Sequence, residues 1–103
     1  MLFICSRNIW RSPTAEAIYK GVQGHKVRSA GTEPSARVRV SAKDILWADM
    51  IFVMEKKHKN RLTDKFPIEM NGKEVVILDI EDEYQFMDEE LIEMIKLTVD
   101  QYL

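Results

Sequence analysis

The sequence predicts an α/β fold: a three-layer, doubly wound sheet of four parallel strands with helices on both faces, in one domain spanning residues 1–103. Short apolar runs alternate with helix-patterned segments in the order β-α-β-α-β-α-β-α, the order in which a parallel sheet is threaded. Residues 50–54 and 75–78 are apolar at every position, as strands covered on both faces must be. The loop after the first apolar run has the make-up of an anion cradle, at the end of a strand where open α/β sheets take their ligands.

Composition bounds the classes. The 103 residues suffice for one core, and 46% hydrophobic with 31% charged residues is globular rather than disordered. A net charge of −2 gives no overall attraction to nucleic acid or to anionic membrane. No apolar run approaches the ~20 residues that span a bilayer. Residues 1–5 are too short for a signal-peptide core, and Arg7 interrupts them. The lone Cys5 excludes an intramolecular disulfide and suits a reducing, cytoplasmic setting. No cofactor or metal site is expected.

Residues 1–4 read as the first strand. Cys5-Ser6-Arg7-Asn8-Ile9-Trp10-Arg11-Ser12 follows as a tight loop whose successive N–H groups can turn inward on an anion. Ser12 is a candidate N-cap and Pro13 suits a first helical turn, so the next helix adds its dipole to the same spot. A thiol in that positive field favours its thiolate, the nucleophilic form. Arg11 can grip two phosphoryl oxygens with its planar fork. The Ser12 hydroxyl can hydrogen-bond the sulfur and help it leave again.

Residues 13–22 place Ala15, Ile18, Tyr19 and Val22 on one helical face, with Gly21 and Gly24 as stops. Residues 24–29 are the second strand candidate, ending in Ser29-Ala30-Gly31-Thr32. Residues 33–40 read as a loop or extended stretch, on one side of which Arg37 and Arg39 either flank the anion pocket or are simply solvated. Ser41 and Asp44 form a capping box for a short helix through Trp47. Residues 50–54 are the third strand, and residues 56–62 a basic helix, a solvated face or a polyanion contact. Residues 66–74 read as a loop around Asn71-Gly72, and residues 75–78 as the fourth strand. Asp88 caps the last helix, residues 89 to about 102, with Met87 and Ile92 as a hydrophobic staple. Trp10 either underlies the loop as core or edges the pocket.

Cys5-x-x-Asn8-x-x-Arg11-Ser12-Pro13, placed directly after a first strand, resembles the signature loop of the low-molecular-weight protein tyrosine phosphatases. The resemblance spans most of the chain, which is short for that family; the shortfall lies mainly after Ser29-Ala30-Gly31-Thr32. It implies a strand order 2-1-3-4, phosphate held by the loop residues Ser6 to Ser12, and loop support from Asn8, Ser12 and Ser29. It also implies a general acid in the loop after the fourth strand. Hydrolysis needs such a group, because a thiolate cannot protonate a leaving alkoxide. The family pattern puts the acid at Asp82, with Asp79 as the alternative, since Glu83 stands where the family has proline. Tyr84 then falls at an aromatic position on the substrate rim. The family's backup cysteine is absent, with Trp10 in its place next to Arg11, so over-oxidation of Cys5 is an expected vulnerability.

The activity implied is a metal-independent phosphomonoester hydrolase, in the family a protein-tyrosine phosphatase, working through a phosphocysteine. Its partner is then a phosphorylated substrate, in the family a phosphotyrosine protein, with a small metabolite or a nucleic-acid phosphate end as other options. An arsenate reductase drawing on an external thiol, or a module that binds phosphate or phosphopeptide without turnover, are the readings from other classes.

Overall fold

The computed structural model describes residues 1–22 and 24–103. Strands β1 (Leu2–Cys5), β2 (Arg28–Gly31), β3 (Met50–Val53) and β4 (Glu74–Ile77) form one parallel sheet in the order β2-β1-β3-β4. Helices α1 (Arg11–Tyr19), α2 (Ala42–Trp47), α3 (Lys56–Lys65), the single turn α4 (Pro67–Met70) and α5 (Glu89–Val99) connect and follow the strands. The expected fold class and strand order are those observed.

The strand alternation builds two cores. Phe3, Cys5 and Phe52 point to the face covered by Ala15 and Tyr19 of α1 and by Leu91, Ile95 and Val99 of α5. Leu2, Ile4, Ile51 and Val53 point to the other face, against Ile45 of α2, Leu62 of α3 and Met70 of α4. Each of these four strand residues is fully buried, and a buried aliphatic side chain contributes about 1.5–3 kcal/mol. Phe3 stacks on Tyr19 and on Phe52, with ring centroids 5.8 and 5.2 Å apart.

Local departures from the sequence reading have identifiable causes. Helix α1 starts at Arg11 with Trp10 as its N-cap, and Ser12 caps nothing, because its hydroxyl is turned to Cys5 and Asn8. The helix ends at Tyr19, so Val22 lies outside it and is exposed. Strand β2 is shifted toward the C-terminus of the expected 24–29, since pairing with β1 runs from Leu2↔Arg28 to Cys5↔Gly31. The expected 66–74 loop contains α4, which Pro67 opens. Strand β4 starts at Glu74 and is an edge strand, with Ile77 36% exposed. Leu78 and Ile80 carry the buried apolar contacts beyond it. Helix α5 is capped by Asp88, whose carboxylate accepts from the N–H groups of Glu90 and Leu91, and gives way to a 3₁₀ turn after Val99. Met87 is exposed at φ +63°. Among the described residues no helix is long and apolar enough to cross a membrane.

Candidate active site

Residues 5–12 leave β1 at the C-terminal end of the sheet, and the segment after β2 determines which way their peptides face. The carbonyl oxygens of Cys5, Ser6 and Arg7 accept from the backbone N–H groups of Thr32, Glu33 and Arg37, each at 3.0 Å. The carbonyl of Asn8 accepts from Arg37 Nε at 3.0 Å. Four successive carbonyls are thereby held outward, which leaves the loop's amides to face its interior. Gly31 permits the close approach: a Cβ there would lie 2.5 Å from the carbonyl oxygen of Ser6. Among the described residues, the polar partners of the thiol come from the loop itself and from the first turn of α1.

Asn8 adopts φ +57°, a region asparagine tolerates better than most residues. Its N–H points at Cys5 Sγ, 3.2 Å away. Its side-chain amide donates to Ser12 Oγ at 2.8 Å and to Ser29 Oγ at 2.9 Å. Both hydroxyls accept there, so each keeps a proton to give. Ser29 donates to Glu16 Oε1 at 2.6 Å, and Ser12 Oγ lies 2.9 Å from Cys5 Sγ, where either group can donate, and 3.5 Å from the Ala30 carbonyl. The Glu16 contact is one the sequence reading lacked.

Two further residues went unread in the sequence. The first turn of α3 is closed by a capping box in which the Glu55 N–H donates to His58 Nδ1 at 3.0 Å. With Nδ1 accepting, the neutral ring carries its proton on Nε2, which donates to Ser6 Oγ at 2.8 Å. The same turn presents Glu55 Oε2 to Arg11 Nη1 at 3.4 Å and to Lys57 Nζ at 3.3 Å. Burial alone would raise the Glu55 carboxyl, but Arg11 and Lys57 outweigh it and hold it below the usual carboxylate range. The first turn of α3 therefore grips the loop at both ends, Ser6 and Arg11. Only the i, i+4 placement of His58 and Leu62 within a basic helix marked these residues in the sequence; both are buried while Lys56, Lys57 and Lys59 are exposed.

His58 is fully buried, and burial first, then the Arg11 charge, pushes its ring down to about 4, against the pull of Glu55. The unfolded chain binds this proton near 6.5 and the folded chain does not until about 4, so stability is full above the unfolded value and falls as pH drops through that window. The expected loss between pH 7 and 4 is roughly 3 kcal/mol. Urea midpoints measured across the window should show a slope that His58→Gln flattens.

Arg11, the first residue of α1, is 1% exposed. A buried guanidinium needs partners, and it has three: Nη1 donates to the Ile80 carbonyl at 2.8 Å and faces Glu55, while Nε faces Asp82 Oδ1 at 3.5 Å. Above it opens a cavity of about 60 Å³ lined by Cys5, Arg7, Ile9, Trp10, Arg11 and Asp82. Asp79 is exposed, at φ +58°, and does not line it. Trp10 edges this pocket, 38% exposed, and is not part of the core beneath the loop.

The rim differs from the expected one. Tyr84 packs on the core face shared by α1 and α5 rather than on the pocket. Arg37 is tied to the loop through Asn8, as described, and borders a neighbouring groove. Arg39 pairs with Gly31 in an isolated bridge and lies with Thr32, Pro34 and Arg61 in a different groove. The extended geometry that would put both arginines on one side does not persist, because residues 33–38 fold back to supply the loop's outer hydrogen bonds. The side chains of Ser6, Asn8 and Ser12 bond within the protein, so only their backbone amides remain to meet an anion.

Residues 1–48 match the family model described as low molecular weight phosphotyrosine protein phosphatase. No curated protein sequence matches the chain. Among solved structures, the tyrosine phosphatase Wzb from Escherichia coli K30 in complex with phosphate is similar at a TM-score of 0.77 and 19% identity, covering 98% of this chain and 93% of that one. A low molecular weight protein tyrosine phosphatase from T. tengcongensis aligns at 0.73 and 22% identity, covering 97% of each chain. The YwlE arginine phosphatase from Geobacillus stearothermophilus aligns at 0.68 and 21%, covering 98% of this chain and 94% of that one. Residues 1–48 thus match the model of the low molecular weight phosphotyrosine protein phosphatase family, and the fold resembles that of these solved phosphatases over nearly the whole chain.

Proposed function

We propose that the protein is a cysteine-dependent phosphomonoester hydrolase acting on phosphotyrosine in proteins. The observation that carries this reading is the loop around Cys5, its first four carbonyls held outward, with the Asn8 N–H and the Ser12 hydroxyl on the sulfur. Such a loop stabilises both a thiolate and the equatorial oxygens of a phosphoryl group.

In the proposed reaction Cys5 Sγ attacks phosphorus in line. The S–P bond forms as the bond from phosphorus to the tyrosyl oxygen breaks. Arg11 and the loop amides hold the three equatorial oxygens, and Asp82 gives its proton to the leaving oxygen. Asp82 then takes a proton from water as that water attacks phosphorus. The S–P bond breaks with its electron pair on sulfur, where the Ser12 hydroxyl receives the charge. Asp82 is preferred to Asp79 because it lines the cavity. Ile9 and Trp10, 48% and 38% exposed beside the cavity, offer apolar surface to an aromatic ring. A lone, reactive thiol fits a reducing compartment such as the cytoplasm.

The test is metal-free hydrolysis of an aryl phosphate between pH 5 and 8, with acid quenching and mass spectrometry of the peptide carrying Cys5. A phosphate mass on that peptide is expected during turnover. Asp82→Asn should lower the rate with a poor leaving group by roughly 10²–10⁴-fold, and Asp79→Asn by no more than a few-fold. Phosphate binding without turnover would replace the hydrolase by a binding module.

A further inference from the structure

Beside the catalytic cavity lies a second groove, about 370 Å³, bordered by Ile9, Pro13, Glu16, Lys20, Arg37 and Phe86. Ile9 also lines the cavity, so the two adjoin at this side chain. An extended chain advances ~3.3 Å per residue, so an adjoining groove would meet the near neighbours of a residue held in the cavity.

Two large apolar side chains stand in water across this groove: Ile9 at 48% and Phe86 at 52% exposure. Neither sits on a loose segment. Ile9 lies between Asn8 and Arg11, both buried and bonded. Phe86 is followed by Met87, whose N–H donates to Thr14 Oγ1 on α1 at 2.9 Å, and then by the Asp88 cap of α5. The backbone is pinned on both sides while the rings and methyls face out, which marks a contact surface rather than a frayed turn. The polar walls carry Lys20 and Arg37 against one carboxylate, Glu16, which Ser29 already engages. Of the Arg37 side chain, Nε alone bonds to the loop among the described residues.

We propose that this groove seats an apolar side chain of the substrate, one or two positions from its phosphotyrosine, with an acidic residue beyond it facing Lys20 and Arg37. The occupant is the substrate's own chain, because the groove adjoins the cavity at Ile9 and its free charge is positive. The proposal rests on the hydrolase reading above and adds sequence preference to it.

The experiment compares phosphotyrosine peptides with leucine or glycine beside the phosphorylated residue, and with an aryl phosphate as the reference for chemistry alone. Wild type should favour the leucine peptide by roughly tenfold or more in kcat/KM. Phe86→Ala should lose that preference, measured as the peptide-to-aryl-phosphate ratio. Lys20→Glu should lose preference for glutamate over glutamine at the next position. The same peptides titrated onto Cys5→Ser report the groove without turnover, so a failed hydrolase reading and a failed groove are told apart. Equal affinity of Cys5→Ser for the leucine and glycine peptides, or a preference that survives Phe86→Ala, overturns the proposal.

Discussion

Cys5→Ser removes turnover of every phosphomonoester, by on the order of 10⁴-fold or more, and leaves the fold and phosphate binding in place. The thiol is 3% exposed and holds two polar neighbours, the Asn8 N–H and the Ser12 hydroxyl. A serine oxygen can keep both contacts, so no donor is stranded and stability should move by less than about 1 kcal/mol. What is lost is nucleophilicity, since an alcohol stays protonated near neutral pH and no histidine among the described residues bonds to Cys5 to activate it. His58 is committed to Ser6 and Glu55. Steady-state rates, a urea melt and phosphate titration by calorimetry together check the result. Residual turnover above roughly a hundredth of wild type would place the nucleophile elsewhere.

Arg11→Lys is the second large effect, although it conserves charge. Lysine cannot reproduce the fork, which reaches Ile80, Glu55 and Asp82 at once. Loss of the proposed bidentate phosphoryl contact should lower kcat/KM by roughly 10²–10³-fold. The Ile80 carbonyl loses its donor in a buried setting, at a cost of about 1–3 kcal/mol. The loss should therefore appear both in kinetics and in the urea midpoint, which separates it from Asp82→Asn, where the exposed carboxylate bears little on stability. An Arg11→Lys protein with wild-type stability would mean that water or the substituted ammonium satisfies the Ile80 carbonyl equally well.

Much of this arrangement was legible because it is local. The apolar runs, the Ser41–Asp44 capping box and the Asp88 cap each follow from residues a few positions apart. The loop motif with Cys5, Asn8, Arg11 and Ser12 was readable for the same reason. The rest depends on distant pairing. Nothing near His58 indicates that its partner is Ser6, and nothing near Ser29 indicates Glu16. A serine before a proline usually caps a helix, whereas here the sulfur and the asparagine compete successfully for the Ser12 hydroxyl. Alternation pairs Arg37 with Arg39 only if the strand continues; the loop's need for outer donors bends the chain instead.

The anchors of the Cys5 loop have a consequence for how the site comes into being. Ser6 is fastened to a residue 52 positions away, and Arg11 to one 69 positions away. Such contacts form only after long loops have closed, and they set a slow tempo in folding. The first 48 residues hold the recognisable sequence, yet on the ribosome they emerge without Glu55, His58 or Ile80, and so without a finished cradle. The nascent thiol stays idle until β3, α3 and the segment after β4 have docked. Recovery of activity during refolding is therefore a late event, which reports assembly of the whole sheet rather than of the strand and helix that bear the motif.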